Sequence, residues 1–201
     1  MSHFVEQAIA AAGLMPLFDA RKARDFDAVR GSMPRWQKAD LLVLGALADL
    51  ARAADVGDEV RVHEDGGDEV AWACETCEAA SDLEVLREVA VLRIALGPGP
   101  VKRVRIGVDW GKCGLELAQV ALGFGASDLR GPITNKRGLY VFDDEMKKVK
   151  GEGMIRAREL VRREIGLLVK YAGRKAVFVG ESRVRADAAR ATDPSAEVAG
   201  A

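Results

Sequence analysis

Cysteine is scarce in this chain: Cys74, Cys77 and Cys113 are the three in 201 residues. An odd, small number offers no disulfide framework and fits a reducing compartment. Aromatic residues make up only 5% and the net charge is −1. With no recognisable binding motif either, nucleic acid is not an expected partner. No uninterrupted apolar run reaches the length of a membrane span, so no membrane partner is expected. The first residues, with Glu6 among short apolar neighbours, lack a basic end followed by an apolar block, and the expected location is the cytoplasm.

What is present is the make-up of an ordinary globular protein, 49% apolar and 30% charged. The length allows a substantial core, and the expectation is a single α/β domain over 1–183 followed by a disordered, small and polar tail over 184–201. Acidic residues dominate from Asp55 to Glu88, whereas Lys102 to Arg174 is rich in Lys and Arg. Solvated faces are the default reading of that asymmetry, with complementarity inside the fold or between subunits as the alternative.

Residues 101–133 organise the chain. Val101, Val104, Ile106 and Val108 are interleaved with Lys102, Arg103, Arg105 and Gly107, close to the period of two of a strand with one buried face. Leu115, Leu117, Ala118, Val120, Ala121, Leu122 and Phe124 then predict a helix that is apolar nearly all round, ended by Gly123 and Gly125. A second strand follows near Asp128, which completes a β-α-β unit. Sites in parallel α/β proteins lie at the carboxyl ends of such strands, here Asp109 to Trp110 and Asp128 to Gly131.

Around this unit, His3 to Ala12 predicts a short helix, Leu14 to Pro34 a mixed polar stretch, and Arg35 to about Ala54 a helix in which Gly45 marks a close contact. Glu59–His63 and Glu69–Ala73 read as antiparallel strands around an Asp65-Gly66-Gly67 turn. Ser81 and Glu84 form a capping box for a helix from Asp82 to Leu96. Asp143 or Asp144 is expected to start a basic helix that breaks at Gly151 and Gly153 and resumes at Met154, before a terminal strand.

The run LREVAVLRIALG at Leu86 to Gly97, the strand ending at Trp110 and LELAQVALGFGASDLRG resemble the closing part of the radical S-adenosylmethionine enzymes of menaquinone and deazaflavin biosynthesis, namely aminofutalosine synthase, dehypoxanthine futalosine cyclase and FO synthase. Matching positions include Leu86, Val89, Ala90, Arg93, Trp110, Gly114, Ala118, Gln119, Gly125, Asp128 and Gly131. ADLLVLGALADLARAADVGDEVRV resembles the helix before the first barrel strand of the same enzymes. The resemblance implies segments from both ends of a longer barrel, with the middle deleted. The expected fold is therefore α/β, with a partial, unclosed (β/α) barrel-like sheet, flanking helices and a short β-hairpin capping its edge.

These enzymes hold a four-iron cluster on C-x3-C-x2-C. Here Cys74 and Cys77 keep C-x2-C, but Val70 stands at the place of the first cysteine and Thr76 replaces an aromatic residue. Three thiolates at fixed positions are needed for that cluster, so radical chemistry is not expected and no cofactor is expected. The alternative left open is zinc or an iron–sulfur centre shared by Cys74 and Cys77 across a dimer. Cys113 has no histidine near it in sequence and reads as an ordinary small residue.

Trp110, Asp128 and Arg93, joined by Gln119 from the matching set, form the candidate ligand site for a planar or anionic small molecule. His63, isolated in sequence, reads first as a solvent-facing residue and otherwise as part of the same site. The expected role is a non-catalytic, metabolite-binding or accessory homologue, paired as a homodimer or with a full-length enzyme of the pathway. The alternatives are non-radical chemistry with Asp128 as acid or base in a dimer, and a structural homodimer.

Overall fold

The computed structural model describes residues 3–63, 70–73, 81–97, 105–133, 141 and 145–179. Five helices come first: α1 (His3–Ala11), α2 (Met15–Lys22), α3 (Phe26–Gly31), α4 (Met33–Trp36) and α5 (Leu41–Val56). Then follow β1 (Glu59–His63), β2 (Val70–Trp72), α6 (Asp82–Ala95), β3 (Arg105–Asp109), α7 (Trp110–Cys113), α8 (Leu115–Ala121), a 3-10 turn over Leu122–Phe124 and β4 (Asp128–Arg130). A small hairpin of β5 (Met146–Val149) and β6 (Gly153–Arg156) leads to α9 (Ala157–Tyr171) and β7 (Lys175–Val179).

Five strands form one open sheet in the order β2-β3-β4-β1-β7, with every neighbouring pair parallel. Alternation sorts the side chains. Val60, Val62, Ile106, Val108 and Leu129 point to one face and are buried against α8, α9 and α6 through Ala118, Ala121, Ile165, Val169 and Val89. Each large aliphatic side chain so covered contributes about 1.5–3 kcal/mol of transfer free energy. A second core lies among the helices, where Ile9, Leu17, Val29, Trp36, Leu44, Leu47 and Ile94 meet. Gly45 permits close approach between α5 and the 3-10 turn, since a Cβ there would lie 2.6 Å from the Phe124 ring.

The expected β-α-β unit is present as β3, α8 and β4. Its helix is shorter than predicted, because the 3-10 turn follows Ala121 and Gly125, at φ 100°, reverses the chain. Nor is that helix covered all round, for Val120 is half exposed. The Ser81 capping box forms as predicted, and α6 begins at Asp82. The helix predicted from Arg35 starts instead at Leu41, where the Asp40 carboxylate accepts from the amides of Leu42 and Val43. The polar stretch before it holds α2 and α3, with Pro16 and Pro34 in the first turns of α2 and α4, where a missing amide costs nothing.

Two expectations are overturned. Glu59–His63 and Val70–Trp72 are strands, but they do not pair with each other: β3 and β4 lie between them, and both strands run parallel to their neighbours. With Val60 and Val62 fully buried, β1 is satisfied on both edges by β4 and β7, a place that an edge hairpin arm cannot occupy. The predicted turn at 65–67 lies outside the described residues. The expected basic helix is replaced by the β5-β6 hairpin, because Gly151 and Gly153, at φ 87° and 84°, turn the chain back, and α9 starts at Ala157 rather than Met154. Asp143, Asp144 and the tail lie outside the described residues.

Candidate functional site at the strand ends

The face of the sheet opposite the apolar core is polar. Arg61 and His63 from β1, Arg105, Gly107 and Asp109 from β3, Asp128 and Arg130 from β4, and Trp72 from β2 alternate with the core residues by the period of two of a strand. Trp72 pairs in register with Gly107, Gly107 with Asp128, and Asp128 with Arg61, so these residues form a row across the sheet. Gly107 lets the Trp72 ring lie across the middle of the row: a Cβ there would lie 2.3 Å from that ring.

Asp128 is the centre of this face and is completely buried. Arg105, 4% exposed, donates its Nε to both carboxylate oxygens at 3.0 and 2.7 Å and its Nη2 to the Ser127 carbonyl at 3.0 Å. His63 Nε2 lies 2.7 Å from Asp128 Oδ1, and Ser127 Oγ donates to Oδ2 at 2.7 Å. Four hydrogen bonds match the roughly four acceptor sites of a carboxylate. Asp128 is therefore an anchor for its neighbours, with His63 held in a fixed orientation. When Nε2–H donates to the carboxylate, Nδ1 of a neutral imidazole is left as an acceptor, and it has no partner among the described residues.

The outer part of the face lies at the carboxyl ends of the strands. Arg130 Nε donates to Asp109 Oδ2 at 3.0 Å, and its guanidinium lies 4.2 Å from the centre of the Trp72 ring. The His63 and Trp72 rings meet edge to face with centroids 5.6 Å apart. Their strands are three places apart, roughly 14 Å at the usual spacing, and the Trp72 ring bridges that distance by lying over Gly107. His63, Trp72, Asp109 and Arg130 thus place an imidazole, an indole, a carboxylate and a guanidinium side by side on one face.

Of the residues the sequence suggests, His63 and Asp128 are brought into contact, and His63 is 8% exposed and partnered rather than solvent-facing. Arg93, on α6, reaches them indirectly: its Nη2 donates to Ser127 Oγ at 2.9 Å, and its Nε donates to the Gly125 carbonyl at 2.8 Å. Trp110 packs over Gly131 and donates its Nε1 to the Pro132 carbonyl at 3.1 Å, which fixes the turn after β4. Gln119 donates to the Leu168 carbonyl at 3.1 Å and ties α8 to α9 on the apolar side of the sheet, away from the polar face. Trp72, Arg105, Asp109, Ser127 and Arg130 belong to the arrangement but not to the set suggested by the sequence. The period-two pattern that marked Ile106 and Val108 as core also pointed to Arg105 and Asp109 as their alternates, which is the signal that could have found them.

Cys74 and Cys77 lie outside the described residues, and among the described residues no group of three or more His, Cys, Asp or Glu side chains is placed to hold a metal ion. The donor set does not fit the cluster implied by the resemblance. Val70, at the place of the first thiolate, is a strand residue whose Cγ1 would lie 2.7 Å from a Cβ on Gly107, packed into the row beside Trp72. Cys113 is described, and burial pushes its thiol up, which suits an ordinary packed residue rather than a nucleophile. No helix among the described residues is long and apolar enough to cross a membrane. Comparison with protein-family models, with curated proteins and with solved structures gives no match for this chain.

Proposed function

We propose that this chain is a cytoplasmic, cluster-free relative of the radical S-adenosylmethionine enzymes of menaquinone and deazaflavin biosynthesis, which holds a small planar, anionic metabolite at its strand ends. The observation that carries the binding role is the convergence of His63, Trp72, Asp109 and Arg130 on one polar face. The kinship draws support from the topology. β1 lies parallel to and directly beside the last strand, β7, as the first and closing strands of a parallel barrel do. The edges β2 and β7 are the places at which a second copy or a full-length enzyme of the pathway would dock.

Native mass spectrometry of the full chain purified without oxygen tests this reading. The expected spectrum is metal-free and carries a small molecule that Arg130→Gln no longer retains. Reductive cleavage of S-adenosylmethionine by the reconstituted protein would overturn the cluster-free assignment.

The His63–Asp128 contact favours a second reading, non-radical acid–base chemistry. In it His63 is the base and Asp128 orients it, as in a nucleophile-activating pair. Turnover abolished by His63→Gln, with ligand retention intact, separates this from binding alone.

A further inference from the structure

The β5-β6 hairpin forms a sheet of its own and carries none of the strand-end residues. In its antiparallel register Met146 lies opposite Arg156, and Lys148 opposite Met154. Residues directly opposite share a face, and so do residues two apart in one strand. Met146, Lys148, Met154 and Arg156 therefore form one patch, in which each methionine has a cation across from it and another beside it. All four are exposed, Met146 at 46% and Met154 at 59%, whereas Val149 and Ile155 on the other face are partly covered.

Single exposed apolar side chains are ordinary, but these two have company. Of the eight large apolar side chains exposed among the described residues, Leu167 and Tyr171 on α9 are two more. They are four residues apart and lie on one stripe of the helix with Arg163, flanked by Lys170 and Glu164. Glu152, in the hairpin turn, accepts from Arg163 Nη1 at 2.7 Å and so brings the turn to that stripe.

Charge is concentrated in the same segment. Residues 146–171 hold eight Lys or Arg and three Glu, a surplus of five cations in a chain whose net charge is −1. Lys147 and Arg163 have carboxylate partners, but Lys148, Lys150 and Arg156 form no ion pair among the described residues. A solvated face has no use for methionine, leucine and tyrosine between its cations, and a nucleic acid backbone calls on the cations alone. A bilayer surface with anionic headgroups takes both, because its interface buries apolar side chains beside phosphates. The lack of a spanning helix among the described residues bears on crossing a bilayer, not on lying against one.

We propose that the hairpin patch and the adjoining α9 stripe dock on an anionic membrane surface. Lys148 and Arg156 meet the headgroup phosphates, and Met146, Met154, Leu167 and Tyr171 enter the interface between them.

Co-sedimentation of the full chain with vesicles tests the proposal. Vesicles of equal parts phosphatidylglycerol and phosphatidylcholine are expected to bind it at least about tenfold more strongly than phosphatidylcholine alone, and less strongly as salt rises. Each Lys or Arg near such a surface contributes about fivefold, so Lys148→Glu with Arg156→Glu should lower binding by at least about twentyfold. Arg35→Glu with Lys38→Glu makes the same change in net charge at exposed positions outside the patch and should leave binding in place. Met146→Ser with Met154→Ser keeps every cation and should weaken vesicle binding about tenfold. Circular dichroism checks that these surface variants fold. No preference for anionic vesicles, or equal losses from the two charge reversals, would overturn the proposal. So would a methionine variant that binds vesicles as the parent does while duplex DNA binds as tightly, which would make the patch a nucleic acid surface instead.

Discussion

His63 and Asp128 are 65 residues apart in the chain and 2.7 Å apart across the sheet. The contact exists because β1 and β4 are adjacent and parallel, with His63 one row beyond the partner of Asp128. Asp128 also neutralises Arg105, which has almost no contact with water. Asp128→Asn keeps the shape and removes the charge. Leaving a buried guanidinium uncompensated costs about 3–5 kcal/mol, to be read from urea unfolding of the variant. A loss below about 1 kcal/mol, the size expected of a solvated pair, would mean that water reaches Arg105.

Gly107 is where the Trp72 ring lies down on the polar face. A valine there would drive its Cβ to 2.3 Å from the Trp72 ring and 2.7 Å from Val70. Overpacking of that kind costs about 1–3 kcal/mol, and Trp72 is expected to leave its place between His63 and Arg130. Tryptophan emission should shift, and any metabolite held at the strand ends should be lost. Gly123→Ala is the control, because nothing lies within 4 Å of its added carbon.

At the start of α6, Glu84 Oε2 accepts from the Ser81 amide at 2.8 Å and from Ser81 Oγ at 2.9 Å. These bonds hold the Glu84 carboxyl below its usual range. A depressed carboxylate stabilises the fold above the unfolded-state value, and the contribution is lost as pH falls through the folded one. Ser81→Ala is expected to cost about 1 kcal/mol at neutral pH. The gap should narrow in acid without closing, because Ser81 Oγ accepts from the Glu84 amide at any pH, a trend that chemical denaturation at several pH values measures.

Parts of this fold were legible because local chemistry decides them. The Ser81 box, the Asp128 strand and the Gly45 contact each need only neighbouring residues or a periodic face. The hairpin over 59–73 was misread because Asp-Gly and Gly-Gly signals fix a turn, not the partner of a strand. What set the pairing was burial of Val60 and Val62 between β4 and β7, a long-range choice. The site was half legible for the same reason. His63 looked solitary in sequence, since its partner Asp128 is supplied by a distant strand, and Arg105 looked like the wet side of an amphipathic strand.

Arg93 joins the two cores. Its fully buried guanidinium binds the Gly125 carbonyl, Ser127 Oγ and Asp55 at once. Burial pushes its pKa down from the ordinary guanidinium range to about 10, against the pull of the Asp55 and Asp128 charges. It is still cationic at neutral pH, but Asp55 keeps Arg21 as its partner, so Arg93→Met chiefly removes the donors to the Gly125 carbonyl and Ser127 Oγ, and a loss of about 1–3 kcal/mol is expected. Arg93→Lys should not rescue it, because a single ammonium cannot serve groups on both sides. The pH dependence separates this residue from its neighbours. Between about pH 6 and 9 neither the folded nor the unfolded guanidinium titrates, so the gap between parent and variant stays flat. Above the folded value of about 10 the unfolded chain binds more protons than the folded one, so the parent gains stability with pH and the gap widens.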